Sequence, residues 1–159
     1  MKHKKQVVVS ILLLLSLLLS ACGGGTPKVD WELKVSGAVS TPLALSFQDL
    51  AGMSQLDMND VNMEKSTGED EITSWSGVPI SEIFSKAGVS DFSTITAIAA
   101  DGYAIEITKD ELEGGIVALK DKGEWIAEVS PDKGPIRLVC PKTPGNRWVF
   151  SLKEIVVNP

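Results

Sequence analysis

Trp75-Ser76-Gly77-Val78-Pro79-Ile80-Ser81-Glu82-Ile83-Phe84-Ser85-Lys86-Ala87-Gly88 carries the clearest helix signal in the chain. Pro79 stands at or just before the first turn, where a missing N–H costs nothing, and Ile80, Ile83, Phe84 and Ala87 fall on one face. Gly88 follows as the stop, a position that favours left-handed backbone. Before this helix, Lys65 to Ser74 is polar, charged and glycine-containing, which predicts a loop, and Leu56, Met58, Val61 and Met63 predict an extended segment. Further back, Ser46-Phe47-Gln48-Asp49 begins a brief helix, because Ser46 can accept the first free amides and Asp49 places negative charge in the first turn. Trp31, Leu33 and Val35 alternate with Glu32 and Lys34, so a half-buried strand ends at Gly37, and a second strand follows through Val39 to Leu45.

Beyond the helix, Ile95 to Ala100 and Tyr103 to Ile107 flank Asp101-Gly102, a dipeptide that favours a tight hairpin. Thr108, with Asp110 and Glu111 in the following turn, caps a short helix. Ile116 to Leu119, the Asp121-Lys122-Gly123 turn, Trp125 to Val129, Ile136 to Cys140 and Ile155 to Val157 complete a strand-rich, helix-poor pattern. That pattern is α+β, with mainly antiparallel or mixed sheets.

The N-terminus is of another kind. Lys2, Lys4 and Lys5 precede an apolar run from Val7 to Leu19 that closes on Leu19-Ser20-Ala21-Cys22. A positive start, a short hydrophobic run and small residues at the cut read as a bacterial lipoprotein signal over residues 1–21, with Cys22 as the lipidated N-terminus. Residues 22–29 then form the acylated cysteine and a flexible tether, whose glycines give it a span on the order of 15 Å. One domain, 30–159, follows; its length is enough to bury a core without staples. Removing Lys2, Lys4 and Lys5 leaves 12 basic against 21 acidic residues, a net charge of −9 where the full chain has −6. Nucleic acid is excluded as a partner on that balance.

Cleavage also removes His3, the only histidine, and leaves Cys140 as the only cysteine beside the acylated one. A Ser-His-Asp or Cys-His nucleophilic site cannot be built from what remains, and neither can a His-ligated metal site or an internal disulfide. The four tryptophans, Trp31, Trp75, Trp125 and Trp148, read as packing residues.

Six ordered pieces resemble one family. They are Trp31 through Gly37, Pro42 through Leu50, Trp75-Ser76-Gly77-Val78-Pro79-Ile80, Asp101-Gly102-Tyr103, Gly134-Pro135-Ile136-Arg137-Leu138-Val139, and Pro144-Gly145-Asn146-Arg147. Together they are similar to the oxidoreductase molybdopterin-binding domain, the fold of the molybdenum domain of sulfite oxidase and its relatives. The resemblance implies that fold from Asp30 to Pro159, and a pyranopterin cofactor whose molybdenum is tied to the protein by one cysteine thiolate. In catalytic members that cysteine lies in the loop ahead of the Trp-x-Gly-Val element. The matching stretch here, Asn62 to Ser74, has Lys65, Ser66 and Thr67 but no cysteine. Ser66 could ligate through oxygen, although a solvated loop serine is its ordinary role, and Cys140 at a strand end is a packing residue before it is a ligand. Members that hold the pterin phosphate show Gly-x-Arg followed by Val-Lys-Trp. Here Arg147 matches and the lysine does not. Arg137 matches the family's strand arginine, and its ordinary role is an ion pair with one of the many carboxylates.

The function expected on these grounds is a membrane-tethered, extracytoplasmic lipoprotein whose sulfite-oxidase-like domain is a non-catalytic binding or interaction module. It is anchored to the cell or outer membrane through Cys22 and serves another envelope protein or a small anionic ligand. The candidate groove residues are Ser66, Thr67, Asp101, Tyr103, Arg137 and Arg147; no metal is expected, and molybdopterin enters only through the family resemblance. The alternative is a molybdopterin-dependent oxidoreductase or electron-transfer partner in the envelope, with non-cysteine ligation. Exported molybdopterin proteins often carry a twin-arginine signal, and the Lys4-Lys5 pair here contains no arginine, which favours the non-catalytic expectation.

Overall fold

A computed structural model describes residues 25–159. The expected signal peptide 1–21 and lipidation site Cys22 lie outside the described residues. Among the described residues, eleven strands are distributed over two sheets with four short α-helices between them.

The first sheet is built from β1 (Glu32–Gly37), β2 (Leu43–Ser46), β5 (Thr94–Ala99), β6 (Ala104–Thr108) and β11 (Leu152–Asn158), in the order β2-β1-β11-β5-β6. β1 runs parallel to β11 with Val35 opposite Ile155, and every other pair in this sheet is antiparallel. The alternation seen in the sequence is the alternation of faces: Leu33 and Val35 are buried while Glu32 is exposed. Pairing the first strand with the last fastens the two ends of the domain together, and Trp31 Nε1 adds a hydrogen bond to the Leu152 carbonyl at 2.9 Å.

The second sheet holds β3 (Leu56–Met63), β4 (Glu71–Pro79), β7 (Ile116–Asp121), β9 (Arg137–Val139) and β10 (Val149–Phe150), in the order β10-β9-β7-β4-β3, with β8 (Glu124–Trp125) beside β7. Its pairs are all antiparallel. Ile116, Val117, Ala118 and Leu119 are consecutive and fully buried, so this strand is covered on both faces. Burying each such aliphatic side chain stabilises the fold by about 1.5–3 kcal/mol, and one continuous core joins residues of both sheets and of the helices.

The helices are α1 (Phe47–Gly52), α2 (Ile80–Ala87), α3 (Lys109–Leu112) and α4 (Ile126–Val129). α2 buries Ile80, Ile83, Phe84 and Ala87 and ends on Gly88 at φ 66, as its spacing and stop signal predict. Ser46 and Thr108 both close reciprocal capping boxes: Ser46 Oγ accepts from the Asp49 amide at 3.1 Å and Thr108 Oγ1 from the Glu111 amide at 3.3 Å.

Three expectations are corrected. Glu71 to Ser74 is strand, because the polar face of this segment meets β3 across an edge ribbon and polarity there is solvation, not looping. Trp125 to Val129 is mostly helix, with only Glu124–Trp125 paired to β7. The second strand begins at Leu43, since its pairing with β1 starts only at the Val35–Leu43 position.

Candidate functional site

Arg137 lies on β9, an inner strand of the second sheet, and its neighbours are set by strand register. Ala118 stands opposite it on β7 and Phe150 on β10. Trp148 and Phe150 are two apart at the start of β10, and Trp75 reaches the same place from β4. The Arg137 guanidinium carbon sits 3.5 Å from the Phe150 ring centre, 5.0 Å from Trp75 and 5.3 Å from Trp148. Trp75 and Trp148 meet edge to face, with ring centres 6.0 Å apart.

Arg137 is only 6 % exposed, and among the described residues it forms no ion pair. The expected pairing with a carboxylate is thus corrected: aromatic rings occupy the space where an acid would have to reach. Its Nε is buried without an acceptor, as is Arg147 Nε, and Asp121 Oδ1 is buried without a donor. Burial pulls the guanidinium down to about 10, and the fields of Asp121 and Glu71 offset part of that loss.

Arg147 takes a different course. From the 3-10 turn Gly145–Arg147, Nη2 donates to Glu111 Oε2 at 3.0 Å and to the Glu106 carbonyl at 2.8 Å, tying the turn to β6 and α3. Glu111 is held below the usual carboxylate range, chiefly by the Thr108 amide it accepts from, with the Thr108 hydroxyl and Arg147 adding to it. Arg147 is the arginine that forms the ion pair.

The remaining candidates are dispersed. Ser66 and Thr67 are exposed on the loop between β3 and β4. The base of that loop is stitched to the Arg147 turn, since the Gly145 amide donates to the Glu64 carbonyl at 2.8 Å. Asp101 and Tyr103 form the exposed β5–β6 turn, where the Asp101 carboxylate accepts from the Tyr103 amide at 2.9 Å. None of the six lines the apolar cavity of about 340 Å³ between Pro79, Ile80, Phe84, Phe92 and Leu112. Sequence reasoning missed the aromatic wall around Arg137, although the Trp148 and Phe150 spacing puts both rings on one strand face and was available as a signal.

Cys140 is fully buried, and burial pushes its thiol up to about 12. Between pH 9 and 12 the folded thiol keeps a proton that the unfolded one, near 9.0, has lost. Stability therefore falls as pH rises through that window. On moving from pH 7 to pH 10, urea unfolding should show the wild type losing about 1 kcal/mol more than Cys140→Ala; equal losses would mean that the thiol is not sealed.

The donors present do not fit molybdenum held through a cysteine. The loop that would carry the thiolate offers hydroxyls and carboxylates but no thiol, and Cys140 is a buried thiol on another strand end. Met63 fills the space against Gly145, where an added Cβ would lie 2.5 Å from its Cγ. Among the described residues no group of three or more His, Cys, Asp or Glu is placed to hold a metal ion.

Similarity to known proteins agrees with the architecture. The sequence profile of the oxidoreductase molybdopterin binding domain matches residues 23–159. An NADH nitrate reductase of Brassica napus is 27% identical over 178 residues, covering 86% of this chain and 19% of that protein. The uncharacterized oxidoreductase YuiH of Bacillus subtilis is 30% identical over 117 residues, covering 70% of this chain and 57% of that one. The chain thus spans about a fifth of the first relative's length and little over half of the second's. The crystal structure of the sulfane dehydrogenase SoxCD from Paracoccus pantotrophus superposes with a TM-score of 0.68 at 21% identity, over 84% of this chain and 40% of that one. That last likeness is one of fold. With the profile spanning both sheets from before β1 to the end of β11, the chain belongs to the oxidoreductase molybdopterin binding domain family.

Proposed function

We propose that this protein is a membrane-tethered, extracytoplasmic lipoprotein whose molybdopterin-binding-type domain works as a non-catalytic binding module. The observation that carries this reading is the position of the thiols. Asn62 to Ser74 contains no cysteine, and Cys140 is buried with its thiol held protonated to about pH 12. A metal held by thiolate needs a deprotonated, accessible sulfur. Tethering rests on the Lys-rich start, the Val7–Leu19 run and Leu19-Ser20-Ala21-Cys22. Among the described residues no helix is long and apolar enough to cross a membrane. The partners proposed are the lipid bilayer, through acylated Cys22, and another envelope protein or a small anionic ligand.

The test is elemental analysis by plasma mass spectrometry, with pterin fluorescence, on the protein extracted from its native membrane. The expected result is molybdenum far below one atom per chain, no pterin emission, and an acylated Cys22 as first residue by peptide mass. Stoichiometric molybdenum with pterin would overturn the non-catalytic reading, and an unmodified Cys22 would overturn the tether.

A further inference from the structure

The four tryptophans divide into two pairs. Trp75 and Trp148 are buried, whereas Trp31 and Trp125 are half-buried at the surface. Phe47, the first residue of α1, joins the surface pair: its amide donates to the Trp31 carbonyl at 2.9 Å, and its ring centre lies 5.9 Å from that of Trp125. Each of these two indoles carries a lysine, with Lys153 Nζ 4.2 Å from the Trp31 ring centre and Lys120 Nζ 4.4 Å from that of Trp125. Neither ammonium forms an ion pair among the described residues. Val129, one helical turn beyond Trp125, is 46 % exposed.

The N-terminal segment leaves the domain at this same place. Gln48, next to Phe47, donates Nε2–H to the Pro27 carbonyl at 2.7 Å, and Val29 packs against the core. The spacer expected over residues 22–29 is therefore fixed to α1 at Pro27. Pro27 stands five positions after Cys22, a reach of at most about 18 Å even when fully extended. With Cys22 acylated, the surface around Trp31 and Trp125 is kept close to the bilayer.

Indoles settle in the headgroup and carbonyl layer of a bilayer, and lysines beside them lay their stems on apolar surface while the ammonium groups reach water and phosphate. A short tether makes such docking intramolecular, so a modest gain from a few apolar side chains suffices. Charge is not the source of that gain. Over residues 28–32, 48–49, 119–129 and 152–154, acids outnumber lysines seven to four, which makes zwitterionic lipid a better partner than anionic lipid.

We propose that the surface formed by Trp31, Trp125 and Val129, with Lys120 and Lys153 against the indoles, lies on the headgroup layer of a zwitterionic bilayer and fixes the orientation of the tethered domain. The inference rests on the lipoprotein reading and adds which face of the domain meets the membrane.

The protein extracted from its native membrane is reconstituted into phosphatidylcholine vesicles with and without bromine on the upper acyl carbons. Brominated lipid should quench the share of emission that comes from Trp31 and Trp125 and spare that of Trp75 and Trp148. Trp31→Phe combined with Trp125→Phe should abolish this loss; undiminished quenching in that variant overturns the proposal, as does the absence of quenching in the wild type. Acetylation of the wild-type lysines, read by peptide mass, decides the matter even if the variant fails to fold. On vesicles Lys120 and Lys153 should lose reactivity, while Lys109, which follows β6 at the far edge of the first sheet, keeps it. Equal protection of Lys109, or none of Lys120 and Lys153, overturns the orientation. Phosphatidylglycerol added to the vesicles should weaken the quenching, and an increase would overturn the assignment to zwitterionic lipid. The peptide mass of Cys22 on the same sample separates the two readings: an unmodified Cys22 removes the tether and this orientation with it, and an acylated Cys22 without quenching removes the orientation alone.

Discussion

Gly77→Ala is expected to cost about 3 kcal/mol or more, enough to leave much of the protein unfolded at moderate temperature. An added Cβ at Gly77 would lie 2.1 Å from the Val117 carbonyl oxygen and 2.5 Å from the Ala118 Cα. Both atoms are backbone of β7, a strand buried on both faces, so neither can turn aside as a side chain would. The register between β4 and β7 shifts between Ser76 and Gly77, so the close approach falls at an irregularity of the ladder. Gly52→Ala is the comparison, since nothing lies within 4 Å of its Cβ position, and it should stay within about 0.5 kcal/mol of wild type. Denaturant midpoints at unchanged slope would measure both; two equal midpoints would mean that β4 and β7 do not cross this tightly.

Trp148→Ala should cost about 3–5 kcal/mol, by the loss of buried aromatic area and the cavity left behind. Trp148 is 2 % exposed, stands edge to face on Trp75, and donates Nε1–H to the Cys140 carbonyl at 2.9 Å and the Thr143 carbonyl at 3.3 Å. Truncation removes the packing and takes the indole donor from the Thr143 carbonyl, while the Cys140 carbonyl keeps the Thr143 amide and hydroxyl, each at 3.0 Å. Trp148→Phe keeps most of the area and loses the donor, so about 1–2 kcal/mol is expected for it. Ile72→Ala, at a residue 58 % exposed, should be nearly neutral. Near-ultraviolet dichroism and urea unfolding separate the three, and a Trp148→Ala loss no greater than that of Ile72→Ala would place Trp148 outside the core.

The two expected losses meet at one place in the fold. Gly77 lets β4 press against β7, that approach brings Trp75 beside β9, and Trp148 holds Trp75 from the other side. Arg137 then stands in a cage that no single segment of the chain describes. The sequence showed Arg137 as a strand arginine and proposed a carboxylate partner, because acids outnumber bases in this chain. Carboxylates are indeed near, yet none pairs with it, since the volume beside the guanidinium belongs to three aromatic rings. Arg147, which looked like the better anion anchor, commits Nη2 to Glu111 and the Glu106 carbonyl instead, while its Nε is buried without an acceptor as that of Arg137 is.

Much of the local structure was legible without coordinates, for reasons that are themselves local. The spacing of Ile80, Ile83, Phe84 and Ala87, the stop at Gly88 and the boxes opened by Ser46 and Thr108 act within a few residues, through periodicity, left-handed backbone and free amides. Segments whose partner lies far away were read less well. Glu71 to Ser74 looked like a loop because its polarity is that of a solvated ribbon, and Trp125 to Val129 looked like a strand because its apolar residues suit either state.

By itself, then, the amino-acid sequence determined the α+β class, the helices α1, α2 and α3 with most of the strands, the family to which they point, and the absence of a cysteine from the stretch where the family's metal ligand would stand. Residue types, turns and caps are properties of neighbours along the chain. Only the tertiary structure decided that Cys140 is sealed with its proton, that Arg147 pairs with Glu111, and that Arg137 is buried among Trp75, Trp148 and Phe150 without an ion pair. Those outcomes depend on strand register and on which side chains from distant segments reach a shared volume first, and no stretch of sequence records that competition.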